Sequence, residues 1–138
     1  MSYAGDITPV QAWELLRDNP DAVLVDVRTE AEWRFVGVPD VSAVDRQTAL
    51  IEWVDFTGAP NPAFVDQLKQ VLADRPGDAP VIFLCRSGQR SIGAAIASTA
   101  AGYAPSFNVL EGFEGPLDAD AHRGGAGWRA HGLPWRQS

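Results

Sequence analysis

The residues best suited to chemistry lie together in Cys85-Arg86-Ser87-Gly88-Gln89-Arg90-Ser91, directly after the apolar run Val81-Ile82-Phe83-Leu84. The thiol is the strong nucleophile of this segment, and helix N-termini and neighbouring arginines are general means of favouring its reactive thiolate form. Arg86 and Arg90 bring that positive charge. Ser87, Gln89 and Ser91 can donate hydrogen bonds to an oxyanion or a terminal sulfur, and Gly88 permits a tight turn without a Cβ clash. The types together fit covalent catalysis by Cys85, with the loop holding an anionic reactant or intermediate. Free cysteines are most often small buried hydrophobes. What sets Cys85 apart is its company of two arginines and four small or polar residues in the six positions after it.

Such a loop needs a strand to deliver it and a helix to receive it. Val81 to Leu84 reads as a buried strand, and Gly88 through Ala100 reads as a helix with Ile92 and Ile96 on one face and Gly102 as its C-terminal cap. Backbone N–H groups at that helix start converge on one spot and favour an anion there. The rest of the chain repeats the alternation. Thr8-Pro9-Val10-Gln11 combines a hydroxyl N-cap, a proline at the first helical position and a capping-box glutamine, with Val10, Trp13 and Leu16 as the inward face and an end near Asn19-Pro20. Ala22 to Val25 is a short buried strand delivering Asp26-Val27-Arg28, and Thr29 to Trp33 starts a second helix. From Gly37 to Ala59 the pattern weakens, with Val41 to Val44 and Ile51 to Phe56 as extended candidates. Asn61-Pro62 caps a helix carrying Phe64, Leu68, Val71 and Leu72. Phe107 to Leu110 is a last strand, and Gly127-Trp128-Arg129-Ala130 begins a short closing helix.

Strands alternating with helices imply an α/β fold in which a central parallel sheet is flanked by helices on both faces, with reactive loops at the carboxyl ends of the strands. At 138 residues the chain fits a single domain spanning 1–138. Its 46% hydrophobic and 21% charged residues are ordinary for a soluble protein, and no apolar run is long enough to span a bilayer. The N-terminus lacks a basic start followed by an apolar stretch, so a cytoplasmic location is expected. A net charge of −7 disfavours nucleic acid and membrane partners. One cysteine can form neither an internal disulfide nor a structural zinc site, and the two histidines stand apart from it, so no metal or other cofactor is expected.

The chain resembles the rhodanese-like domains. The resemblance rests on the loop from Cys85 to Ser91, on Asp26-Val27-Arg28 with Glu30 and Glu32-Trp33, and on the closing segment Gly127-Trp128-Arg129-Ala130-His131-Gly132-Leu133-Pro134. It implies a rhodanese-like fold and a sulfurtransferase of the thiosulfate type. Cys85 would be the catalytic nucleophile that takes a sulfane sulfur as a persulfide, with Arg86, Ser87, Gly88, Gln89, Arg90 and Ser91 binding the substrate. It also implies a small-molecule donor, thiosulfate or a persulfide, and a thiol or cyanide acceptor. Asp26, Arg28 and Glu32 are expected to form a salt-bridge network beneath the site. Related cysteine phosphatases place an arginine six positions after the cysteine. Here Arg90 stands five positions after Cys85, a shorter loop that resembles the sulfur-transferring branch.

The chain departs from the family pattern twice. A usual glycine-histidine-isoleucine-proline-glycine stretch reads Gly37-Val38-Pro39-Asp40-Val41, without the histidine. The link between Leu110-Glu111-Gly112 and Gly127-Trp128 is lengthened by an insert at about 113–126. Its residues Glu114, Asp118, Asp120, His122 and Arg123, with Gly124-Gly125 as a hinge, are expected to cover part of the Cys85 pocket and narrow donor or acceptor choice, and His122 is a candidate general base. Trp53 with Phe56 is read as a partly exposed pair that a homodimer could use. A second functional class stays open beside the enzyme: a non-enzymatic persulfide carrier or redox-sensing module, loaded and unloaded at Cys85 by partner proteins.

Overall fold

The computed structural model describes residues 2–137. A five-stranded parallel sheet forms the centre, from β1 (Gly5–Ile7), β2 (Val23–Asp26), β4 (Ala49–Leu50), β5 (Val81–Leu84) and β6 (Ser106–Val109) in the order β1-β6-β5-β2-β4. The register places Val25 beside Phe83 and Phe83 beside Asn108. A small antiparallel pair, β3 (Val38–Pro39) with β7 (Trp135–Arg136), ties the residues after Gly37 to the C-terminal segment.

Alternation along the central strands explains the two-sided core, because successive side chains point to opposite faces. Val23, Val25, Val81, Phe83 and Cys85 face one cluster, closed by Phe64, Leu68 and Leu72 of α3 (Phe64–Leu72) and by Ala94 and Ala95 of α4 (Arg90–Ala100). Leu24, Ile82, Leu84 and Val109 face the other, closed by Ala12 and Leu16 of α1 (Pro9–Asp18) together with Phe113 and Trp128. Both faces are therefore covered, as the alternating pattern predicts. Among the described residues no helix is long and apolar enough to cross a membrane.

The caps of α1 and α2 (Glu30–Phe35) follow their sequence signals. In each, a threonine side chain (Thr8, Thr29) accepts the N3 backbone N–H while the N3 side chain (Gln11, Glu32) accepts the N–H of the capping residue. Several expectations need correction. Val10 is 43% exposed, and Pro9, Ala12 and Leu16 are the residues that α1 buries. Ile92 and Ile96 are half-buried, because Ser91, Ala94, Ala95 and Ser98 take the inner face of α4, where small side chains let the helix sit close on the sheet. Asn61 does not cap α3. The helix begins at Phe64 after Ala63, and Asn61 instead accepts the Ala63 N–H in the preceding turn. Val41 to Val44 is mostly a 3₁₀ turn (Ser42–Val44), and Ile51 to Phe56 is loop rather than strand. Gly127 to Ala130 forms turns instead of a helix, held by the buried Trp128, whose indole N–H donates to Pro134 O at 2.7 Å. Trp53 packs edge-on against Phe64 with its ring beside Gly93, so Phe56, 85% exposed, is the freely exposed member of that pair.

Candidate active site

The Cys85 loop leaves the carboxyl end of β5 and enters α4, the site expected for a reactive loop in a parallel sheet. Cys85 is 1% exposed. Its Sγ accepts the Gly88 N–H at 3.2 Å and lies 3.1 Å from the Ser91 hydroxyl. Gly88 has φ +94°, and a Cβ there would meet Glu111 N at 3.1 Å and Val109 O at 3.2 Å. Glycine thus serves both the left-handed turn and the close passage of β6. Among the described residues, the backbone N–H groups of Arg86, Ser87, Gln89 and Arg90 have no protein acceptor. Four free donors on one tight turn at a helix start form a place for negative charge.

The two loop arginines, alike in sequence, are placed differently. Arg86 is exposed, with no ion pair or side-chain hydrogen bond among the described residues, and Gln89 is exposed beside it. Arg90 is half-buried and gives both terminal nitrogens to Glu32, at 2.9 and 3.0 Å. Burial works against both charges of this pair, yet their mutual hydrogen bonds win. The Glu32 carboxyl, aided by the Thr29 N–H and the Arg90 and Arg28 charges, lies below its ordinary range. Arg90 is correspondingly raised by Glu32, with Cys85 and Asp26 nearby. Its guanidinium therefore fastens the start of α4 to α2.

Behind this latch, Asp26 and Arg28 form a fully buried pair with contacts of 2.6 to 3.1 Å. Arg28 also donates to Gly37 O at 2.7 Å and lies 4.2 Å from the centroid of the Phe113 ring. The expected network of Asp26, Arg28 and Glu32 is thus two hydrogen-bonded pairs that act on each other through charge alone. Val38 and Pro39, where the family's histidine would be expected nearby, simply pair with β7.

The insert divides into a stem and a tip. Phe113 is fully buried, its N–H donates to Cys85 O at 2.8 Å, and the N–H groups of Glu114 and Gly115 donate to Arg86 O at 3.0 and 3.2 Å. Its first residues are thereby bonded to the Cys85 loop. Residues 116–122 are exposed. His122 belongs to that tip, where the Asp118 N–H donates to His122 O and the His122 N–H donates to Asp118 Oδ1. The histidine that does engage a group beside the loop is His131, 3.1 Å from Glu111. The Gly127 N–H and His131 together lower the Glu111 carboxyl below its ordinary range.

Sequence reading missed one participant. Asn108, fully buried on β6, accepts from the Ser91 hydroxyl and donates to Asp6 Oδ1 at 3.0 Å and to Gly88 O at 3.2 Å. Its signal in the sequence is a polar residue within Phe107 to Leu110, the stretch read as strand.

A family model described as "STR4 middle domain" matches residues 5–138, and the chain belongs to that family. It is 35% identical over 95% of its length to the "uncharacterized protein RP600 homolog" of Rickettsia rickettsii, covering 96% of that protein. It is 28% identical, again over 95% of its length, to 25% of the chloroplastic protein "THYLAKOID RHODANESE-LIKE" of Oryza sativa. The crystal structure of Rv0390 from M. tuberculosis is similar over 99% of this chain and 100% of its own, with a TM-score of 0.90 and 63% identity. The polysulfide-sulfur transferase homodimer of Wolinella succinogenes shares the fold, with a TM-score of 0.63 and 22% identity over 96% of this chain and 78% of that one. The fold is rhodanese-like.

Proposed function

We propose that the protein is a sulfurtransferase that carries a sulfane sulfur on Cys85, from thiosulfate or a small persulfide to a thiol or cyanide. In the first half-reaction the Cys85 thiolate attacks the outer sulfur of thiosulfate. The new S–S bond forms as the old one breaks, and sulfite leaves with the electron pair. In the second, the acceptor attacks the outer sulfur of the persulfide and the Cys85 thiolate is released. Arg86 and Gln89, both exposed, would meet the donor's oxyanion, and guanidinium geometry suits that task. The observation that carries the reading is the buried Sγ bonded to Gly88 N–H inside a turn with four further unpaired N–H donors. These donors would stabilise the terminal sulfur anion of the persulfide.

The test is intact-mass measurement after incubation with thiosulfate. Wild type should gain one sulfur atom, lose it on addition of cyanide, and Cys85→Ser should gain none. No adduct from thiosulfate, polysulfide or glutathione persulfide would remove the reading.

A further inference from the structure

The hydrogen-bond accounting around Cys85 contains a competition. Ser91 lies 3.1 Å from Cys85 Sγ and also bonds to Asn108 Oδ1, yet a serine hydroxyl has one proton to give. Which acceptor receives it depends on the Asn108 amide. The Asn108 nitrogen faces the Asp6 carboxylate and the Gly88 carbonyl, two groups that only accept, so the NH₂ must point there and Oδ1 must point at Ser91. The same Asp6 oxygen also accepts from the Tyr3 hydroxyl at 2.8 Å. The orientation is therefore fixed from three strands, β1, β5 through its loop, and β6.

We infer that Asn108 is a positioning residue that draws the Ser91 proton away from Cys85, so that Ser91 offers the sulfur a lone pair in the resting protein and a proton only when its bond to Asn108 breaks. The consequence for the sulfur is specific. A resting thiol can donate its own S–H to Ser91 while Gly88 N–H is its one donor. A thiolate would gain from the Ser91 proton, but turning that proton leaves Asn108 Oδ1 buried without a donor, a state that folded proteins avoid. Asn108 thus withholds the Ser91 proton from the sulfur. As an account of catalysis this rests on the sulfur-transfer reading; as an account of thiol reactivity it does not.

The experiment is the pH profile of Cys85 alkylation by iodoacetamide in wild type, Asn108→Leu, Ser91→Ala and the double variant, with intact-mass loading by thiosulfate run in parallel. Leucine keeps the branched outline of asparagine, is somewhat larger, and can neither accept nor donate. The charged groups around the sulfur are unchanged in all four proteins: Arg86 and Arg90 of the loop, Glu32 of α2, the Asp26–Arg28 pair after β2, and Asp6 of β1. Asn108→Leu should alkylate about tenfold faster on the acidic side of the profile, the effect of one added hydrogen bond to a charged sulfur. In the Ser91→Ala background the same change should do nothing further, because the effect travels through Ser91.

Equal shifts with and without Ser91, or no shift, would overturn the inference. Should Asn108→Leu not fold, Ser91→Ala alone decides. If Ser91 already donates to the thiolate, its loss moves the profile to higher pH and the inference fails; under the inference the profile does not move upward. Expected alkylation profiles together with no sulfur loading would reject the sulfur-transfer reading while leaving Asn108 in this role.

Discussion

Two carboxylate–guanidinium pairs stand behind the Cys85 loop, and burial gives them different work. Asp26 and Arg28 are two residues apart and wholly enclosed, with Arg28 roofed by Phe113 and tied to Gly37 O. Glu32 and Arg90 are 58 residues apart and reached by water, with side chains 17% and 26% exposed. The inner pair is a sealed piece of core that sets the end of β2. The outer pair is a latch between two helices, placed where it can be lost without stranding a charge. The same chemistry is thus obligatory in one position and adjustable a few ångströms away.

The contrast is sharpest under removal of one partner. Asp26→Ala would leave Arg28 buried and uncompensated, and should destabilise the fold by about 3–5 kcal/mol, read as the urea midpoint. A loss below about 1 kcal/mol, the range of solvated pairs, would put both pairs in one class. Glu32→Gln should cost about 1 kcal/mol by the same measurement.

That second cost should also depend on pH. The Glu32 carboxyl titrates below its ordinary range in the folded chain, so its contribution is complete above the unfolded carboxylate value and lost as pH falls through the lower folded value. The difference in urea midpoint between wild type and Glu32→Gln should therefore close on acidification through and below the usual carboxylate range. A difference independent of pH would mean that the latch is not ionic. Arg86→Ala completes the series, since Arg86 has no pair to break. Stability should stay within about 0.5 kcal/mol, while sulfur loading from thiosulfate slows by about tenfold. Equal loss of stability in Arg86→Ala and Glu32→Gln would erase the distinction between the two loop arginines.

How far the sequence reveals the site follows from the range of the interactions. The strand Val81–Leu84, the cysteine loop and the capping boxes at Thr8 and Thr29 are written within a few residues, and they lie where their local signals place them. Features that depend on distant partners are not visible. β1 is three residues of Gly-Asp-Ile, with no apolar run of its own, and it exists because it pairs with β6 about a hundred residues later. Asn108 stands as a polar residue within its strand because Asp6, Gly88 and Ser91 converge on it, and periodicity carries no trace of that convergence. Val10 looks inward by helical spacing but faces solvent, because the approach of Trp128 and the sheet decides which arc of α1 is covered. Arg86 and Arg90 read as equals until α2 folds back and Glu32 claims one of them.

Gly112 shows where this architecture can and cannot be redesigned. A Cβ at that position would fall 2.4 Å from Cys85 O and 2.5 Å from Arg86 C, and the backbone there is already in the left-handed region with φ +62°. Any other side chain must push the Cys85–Arg86 peptide, so the position acts as a ruler that fixes how far the Cys85 loop stands from the chain that leaves β6. Residues 116–122, beyond the stem that begins at Phe113, carry no comparable constraint. New elements grafted into that tip would hang from a stem bonded to the Cys85 loop while the distances that define the loop are left as they are.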